Sequence, residues 1–306
     1  MGELDRIQCS HELNKFRELC NIFKLYGPIS ISVFLSYFSS DSDTKKGEEP
    51  DYNKQDNRKR TILHRAATAG HIGVVEGLLS IDSINPNQLE KDQCTPLGLA
   101  LRDDHEEIAH VLIEKEKVDV NLGGGSFGAP IHIAVSKNKY QTIHKLILRN
   151  VNVNKVDFKL QTPLHIIMDV FSRNTELAEE ITRILVFNGA KPNMKDSEHL
   201  TPLHHAVIKK HIEGVQLICQ LNKELNARNK EIFNLNMMGG EKGYTAIYYA
   251  FDKRATDIAE MLFLQGARVC LRFNNTEYMP REWKKKETSV RRHILWKMEK
   301  FELNLR

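Results

Sequence analysis

Apolar residues along the chain fall into short clusters that keep helical spacing and return at a fixed interval. One opening recurs: TILH at Thr61, TPLG at Thr95, APIH at Ala129, TPLH at Thr162, TPLH at Thr201 and TAIY at Thr245. The steps are 34, 34, 33, 39 and 44 residues, a base period of about 33 with two insertions. Each opening predicts a helix start. Threonine caps an orphan backbone N–H, and proline fits the first helical position because its missing N–H has no partner there. Leucine then begins the buried stripe. An alanine follows at Ala66, Ala100, Ala134, Ala206 and Ala250, allowing close approach of neighbouring helices; Ile167 replaces it in the fourth unit.

A second apolar pair predicts a second helix in each unit: Leu78-Leu79, Leu112-Ile113, Leu146-Ile147, Ile218-Cys219 and Leu262-Phe263. In the fourth unit the pair reads as Ile184-Leu185, five residues late, so SRNTELAEE holds an insertion. NKEIFNLNMMGGEKG lengthens the fifth unit, and its Met237 and Met238 offer an adaptable contact. Gly70-His71, Asp104-His105 and Lys210-His211 mark the turn between helices. Gly189, Gly266 or Asn150 closes the second helix in the left-handed conformation. VDVN, VNVN and KPN then lead toward the next turn.

These units resemble ankyrin repeats over about residues 51–271. The resemblance rests on TPLH at 162–165 and 201–204, AATAGH at 66–71, NGAKPN at 188–193, and Asp56, Asp157 and Asp196 five residues before the threonine. It implies an all-α repeat fold, an ankyrin-type α-solenoid with β-hairpin fingers and helical caps at both ends. The expected layout is a cap at 1–45, six repeats at 46–271 and a basic cap or tail at 272–306. The glycine this family places two residues before the threonine survives as Gly243. Lys59, Gln93, Phe127, Leu160 and Leu200 are read as its replacements, and the motif histidine gives way to Gly98 and Tyr248.

One stretch competes with this reading. Gly123, Gly125 and Gly128 spell G-x-G-x-x-G, the letters of a dinucleotide loop. That loop needs a strand before it and an acidic residue about 20 residues after it. The preceding AHVLIEKEKVDVN reads as a helix with a short tail, and LILRN follows instead. A hairpin tip that needs positive φ is the expected role.

At the ends, SHELNKFRELCNIFKLYG is amphipathic and reads as a cap or a docking helix. The tail carries Arg281, Lys284, Lys285, Lys286, Arg291, Arg292, Lys297 and Lys300 against Glu282, Glu287 and Glu299. It fits a last cap, a calmodulin-type target helix, a nuclear import signal or a contact for an acidic surface. The start, MGELDRIQCS, has no leader pattern, and Gly2 lies in a poor myristoylation context. No apolar run approaches the roughly 20 residues of a membrane span.

Overall composition adds little: 41% hydrophobic residues, 27% charged, net charge +4. Cys9, Cys20, Cys94, Cys219 and Cys270 are odd in number and form no CxxC pair, so reduced thiols in a cytoplasmic or nuclear protein are expected. His64, His132, His165 and His204 repeat at one position. One repeat apart, they cannot converge on an ion at roughly 2 Å. Each is expected to bond to its own threonine and to the adjacent finger. HEEIAH at 105–110 is one residue too long for H-E-x-x-H. No catalytic residues, cofactor, metal or small molecule is expected.

What remains is a binding surface for another protein. The resemblance places contacts on finger tips and first helices: Arg58, Arg60, Lys91, Asp92, Arg102, Asp103, Lys137, Phe158, Lys159, Gln161, Glu198, Leu200, Lys242 and Tyr244. Phe158, Leu200 and Tyr244 stand out as apolar side chains on tips expected to be solvated. The mixed signs argue against a nucleic-acid groove, with the basic tail as the one alternative site. The expected function is therefore a non-enzymatic scaffold or adaptor. A regulatory or targeting subunit of an enzyme complex is the alternative.

Overall fold

Thr61, Thr95, Thr162 and Thr201 cap the helices they precede, where the sequence places them, while Ala129 and Thr245 open theirs without a side-chain cap. The structure, a computed structural model, describes residues 51–241 and 243–268, and by backbone the strands Leu271–Phe273 and Thr276–Tyr278. The expected N-terminal cap, most of the basic tail and Lys242 lie outside the described residues. The first helices are α1 (Ile62–Thr68), α3 (Pro96–Arg102), α5 (Pro130–Ser136), α7 (Pro163–Val170), α9 (Pro202–Ile208) and α11 (Ala246–Asp252). The second helices are α2 (Ile72–Leu79), α4 (Glu106–Glu114), α6 (Tyr140–Leu148), α8 (Thr175–Phe187), α10 (Ile212–Ala227) and α12 (Thr256–Leu264).

The chain forms two compact units. Among described residues the first comprises 51–134 with 141–151, and the second 135–140 with 152–268. Within the first, α1 packs on α3 and α2 on α4; within the second, α7, α9 and α11 pack in succession, as do α8, α10 and α12. The alanines at the predicted close approaches, Ala66, Ala100, Ala134, Ala206 and Ala250, are fully buried, and so is Ile167. The helices are short, so burying an apolar face against neighbours, rather than intrinsic propensity, holds them.

The turns between helices use left-handed residues: Gly70, Asp104, Asn138, Lys210 and Arg254 have φ from 54° to 76°. At the ends of second helices, Asn150, Gly189, Asn229 and Gly266 do the same. Each turn redirects the chain within one residue.

The added length of the fourth and fifth repeats is mainly helical, and in the fifth it lies in the helix that ends at Ala227, upstream of the stretch 229–243 expected to hold it. In the fourth repeat the buried pair is Leu185-Val186, one residue beyond the expected Ile184-Leu185. The extra length is thus six residues, as the step of 39 against 33 requires. It forms a 3-10 turn, Phe171–Arg173, and a 13-residue α8. Phe171 is 1% exposed and packs beside His211 and Gly214. In the fifth repeat α10 runs 16 residues. Its extra turns bury Leu221 and Leu225. Arg183 of α8 reaches both Glu224 of α10 (2.9 Å) and Glu179 (3.2 Å), so the two extensions are tied to each other.

An asparagine ladder runs along the loops that lead to the fingers. Asn53 donates to Ser83 O and accepts from Asn85 N; Asn87 treats Lys117 O and Asp119 N the same way. In the second unit Asn154 does so with Gly189 and Lys191, and Asn193 with Ile232 and Asn234. One amide side chain thereby satisfies a backbone donor and acceptor of the next loop.

Candidate protein-docking surface

Four of the six fingers are built on an acidic residue five positions before the threonine; the third and sixth have Gly124 and Gly240 at that place. Asp56 Oδ1 accepts from Arg58 N and Arg60 N, both at 2.8 Å. Asp157 binds Lys159 N and Gln161 N at 2.8 Å, and Asp196 binds Glu198 N at 3.0 Å and Leu200 N at 2.8 Å. In the second finger, Glu90 Oε1 accepts from Asp92 N at 3.1 Å. Lys59, Gln93, Leu160 and His199 close these turns with φ between 56° and 62°. The glycine position of the fifth repeat is therefore His199, not Leu200. In the third repeat Gly125 and Gly128 take positive φ in place of Phe127.

The glycine-rich stretch is a finger tip. Gly124 and Gly128 form an isolated antiparallel bridge around a 3-10 turn, Gly125–Phe127. A Cβ on Gly125 would lie 2.2 Å from Asp92 O of the preceding finger. Glycine is needed because two backbones touch there. The sixth finger is a short true hairpin, with β1 (Met238–Gly239) antiparallel to β2 (Tyr244–Thr245).

Three motif histidines tie the start of a first helix to the finger of the next repeat. Thr61 N donates to His64 Nδ1 at 3.1 Å, and His64 Nε2 lies 3.3 Å from Cys94 O, at the base of the next finger. His165 joins Thr162 N (3.1 Å) to Leu200 O (3.2 Å), and His204 joins Thr201 N (3.2 Å) to Tyr244 O (3.0 Å). Because Nδ1 accepts, the proton sits on Nε2 and is donated to the carbonyl. Burial pushes the pKa of all three down to about 4, so they are neutral. His132 Nδ1 accepts from Ala129 N in the same way.

His205 is different. Its Nδ1 lies 2.9 Å from Asp169 Oδ1 and its Nε2 2.9 Å from Asp196 Oδ2, so both nitrogens must donate and the ring is charged. Burial opposes the charge, yet hydrogen bonding to Asp169 and then Asp196 outweighs it and holds the pKa above the ordinary histidine value. In the first finger Arg65 fills the same place, 2.9 Å from Asp56 Oδ2.

The expected contact residues separate into three groups. Arg58, Lys91, Asp92, Lys159 and Glu198 are exposed, and Phe158 is 60% exposed with Lys159 Nζ 5.5 Å from its ring centre. Arg60, Arg102, Asp103, Lys137, Gln161 and Tyr244 are half-buried. Arg60 Nε lies 3.6 Å from buried Glu90. Arg102 makes a two-pronged contact with Asp103 at 2.9 and 3.0 Å and sits 5.6 Å from the Phe127 ring centre. Tyr244 packs against Tyr248 at a tilt and against Tyr249 edge-on, with ring centres 5.9 and 5.7 Å away. Leu200 corrects the expectation of an exposed tip: it is 5% exposed and packs beside Gly240 of the next finger. Two exposed apolar tip residues were not among the expected contacts, Leu160 at 50% and Phe127 at 43%. The signal was present, since an apolar residue stood where the family places glycine.

Burial raises the pKa of the Cys94 and Cys219 thiols to about 11, so neither is a ready nucleophile. No described group of three or more His, Cys, Asp and Glu side chains is placed to hold a metal ion. No described helix is long and apolar enough to cross a membrane.

Repeated helix pairs, threonine–histidine locks and projecting fingers define a repeat protein built to present a surface. The chain belongs to the ankyrin repeat family, whose model matches it at residues 35–123, 131–229 and 170–272. It is 26% identical over 174 residues to the transient receptor potential cation channel subfamily A member 1 of Drosophila melanogaster; the match spans 53% of this chain and 14% of the channel. Among solved structures, an ankyrin repeat domain from Acinetobacter baumannii is similar with a TM-score of 0.56 at 21% identity, covering 67% of this chain and 98% of the other. The human ASB11 ankyrin repeat domain has a TM-score of 0.54 at 21% identity, covering 82% and 98%. These structures share the fold. Ankyrin repeats generally mediate protein–protein interaction and are generally non-catalytic modules.

Proposed function

We propose that this chain is a non-enzymatic adaptor that captures another protein on its finger tips and the neighbouring ends of its first helices. The observation that supports this most is the fourth finger, where Phe158 (60% exposed) and Leu160 (50%) flank Lys159 on a tip held by Asp157. Apolar side chains on a rigid tip lose little conformational freedom when they are covered, which favours binding. The buried free thiols Cys94 and Cys219 fit a reducing compartment, the cytoplasm or the nucleus.

The test is a pull-down with the full chain and a Lys159→Glu, Arg102→Glu variant. Partner recovery falls about tenfold; the melting temperature holds for Lys159→Glu alone, whereas Arg102→Glu also loses the contact with Asp103 and lowers it slightly. Unchanged recovery would remove these two positions from consideration. Nucleotides and divalent metals leave the melting temperature of the parent protein where it was, since a ligand of the folded state would raise it.

A further inference from the structure

The fingers of the first unit carry a charge pattern of their own. Three successive tips are laced together by backbone hydrogen bonds, Lys91 N to Arg58 O at 2.9 Å and Gly124 N to Gln93 O at 3.0 Å. At Gly125 the contact leaves no room for a side chain. The tips therefore form one rigid row, already in place before any ligand arrives.

The cations of this region fall into two sets. Arg60, Arg65 and Arg102 are committed to Glu90, Asp56 and Asp103. Arg58, Lys59 and Lys91 are exposed and have no acidic partner among the described residues. Asp92 is the one exposed carboxylate on the same tips. The row ends at Phe127, 43% exposed and backed by the Arg102 guanidinium 5.6 Å away. Read in order, the tips offer cation, cation, aromatic ring.

We infer that this row binds an acidic segment of a partner protein in extended conformation, its carboxylates on Arg58, Lys59 and Lys91 and one apolar side chain against Phe127. The inference rests on the adaptor reading and specifies the partner's chemistry for this unit. Packed helices lie about 10 Å apart, so two finger steps cover about six residues of extended chain. Three uncompensated cations select for negative charge and set the encounter rate, and the ring selects for an apolar end. A nucleic acid would also answer the charge. It finds a lone ring here rather than a series of stacking platforms.

The test uses the full chain and fluorescence anisotropy with a labelled Glu-rich peptide of about eight residues ending in Phe, long enough for the row. The parent protein binds it, and binding weakens as salt rises. Arg58→Glu with Lys91→Glu weakens it about tenfold, Phe127→Ser about threefold, as expected for contacts at a partly exposed surface. The same peptide with Lys for Glu does not bind. Both changed sets are at exposed positions, and a melting curve confirms folding; Lys59→Glu is the second charge variant should the double change destabilise the finger.

Equal affinity of parent and charge variants overturns the inference, as does tighter binding of a single-stranded RNA that displaces the peptide. Failure to bind the peptide also overturns it. If the peptide fails while the Lys159 and Arg102 changes still abolish partner capture, this inference falls alone. If capture is also indifferent to those changes, the adaptor reading loses those two positions with it.

Discussion

A buried histidine that accepts through one nitrogen and donates through the other cannot take a second proton without losing a bond. His64, His165 and His204 are each in that position, with pKa pushed down to about 4 by burial. The unfolded chain binds these protons near 6.5 and the folded chain only near 4, so the unfolded state holds more protons between those values. The stability they confer is complete above about pH 6.5 and is lost progressively toward pH 4, each group contributing about 1.4 kcal/mol per pH unit. Urea titrations across that range should show this slope, and a His64→Ala, His165→Ala, His204→Ala triple variant should flatten it. Each single replacement strands the threonine N–H and the carbonyl of the next finger and costs about 1–3 kcal/mol. His205 runs the other way. Its raised pKa makes its contribution full below about 6.5, to be lost as pH rises through the folded value. A His205→Ala variant should therefore lose its extra deficit at high pH. Equal deficits at every pH would contradict the charged assignment.

At the scale of elements, space and backbone sign decide what each finger and insertion tolerates. Gly125→Ala meets Asp92 O and needs φ of 62°, so a loss of about 1–3 kcal/mol is expected. Gly124→Ala, with nothing within 4 Å of its Cβ and an extended φ of −174°, should be neutral. Thermal unfolding of the pair separates the glycine that the finger contact needs from the one it does not. Phe171→Ala should cost about 3–5 kcal/mol, because the side chain fills the space beside His211 and Gly214. The helix starts were legible in the sequence because Thr-Pro-Leu carries a local cap. The insertions were only partly so. An extra turn of helix keeps the apolar period and changes only where it ends, which is why the lengthening of α10 to Ala227 leaves no mark in the pattern and the insertion reads as lying downstream, at 229–243. The asparagine ladder was visible as a letter at the end of VNVN and KPN, Asn154 and Asn193. Its role needed the neighbouring loop, which a single repeat does not show.

For the molecule as a whole, repetition made the architecture readable and left the surface less so. Six openings at one period specify stacked pairs, since no single pair can bury its apolar face alone. Exposure of a tip residue depends on the finger beside it. Leu200 disappears beneath Gly240, Tyr244 enters a ring cluster, and Leu160, read as a lost glycine, stands in solvent. Charge had the same limit: Arg60, Arg65 and Arg102 look like Arg58 in the sequence but are held by carboxylates in the structure. The central claim is that the exposed tips, not the second helices, meet the partner. Affinity capture and mass spectrometry with three forms of the full chain test it: the parent, a tip variant (Arg58→Glu, Lys91→Glu, Phe158→Ser, Lys159→Glu) and a second-helix variant (Glu107→Lys, Glu180→Lys). The account predicts that the tip variant loses the captured protein while the second-helix variant keeps it at equal melting temperature. Loss only in the second-helix variant, or identical capture by all three, would contradict it.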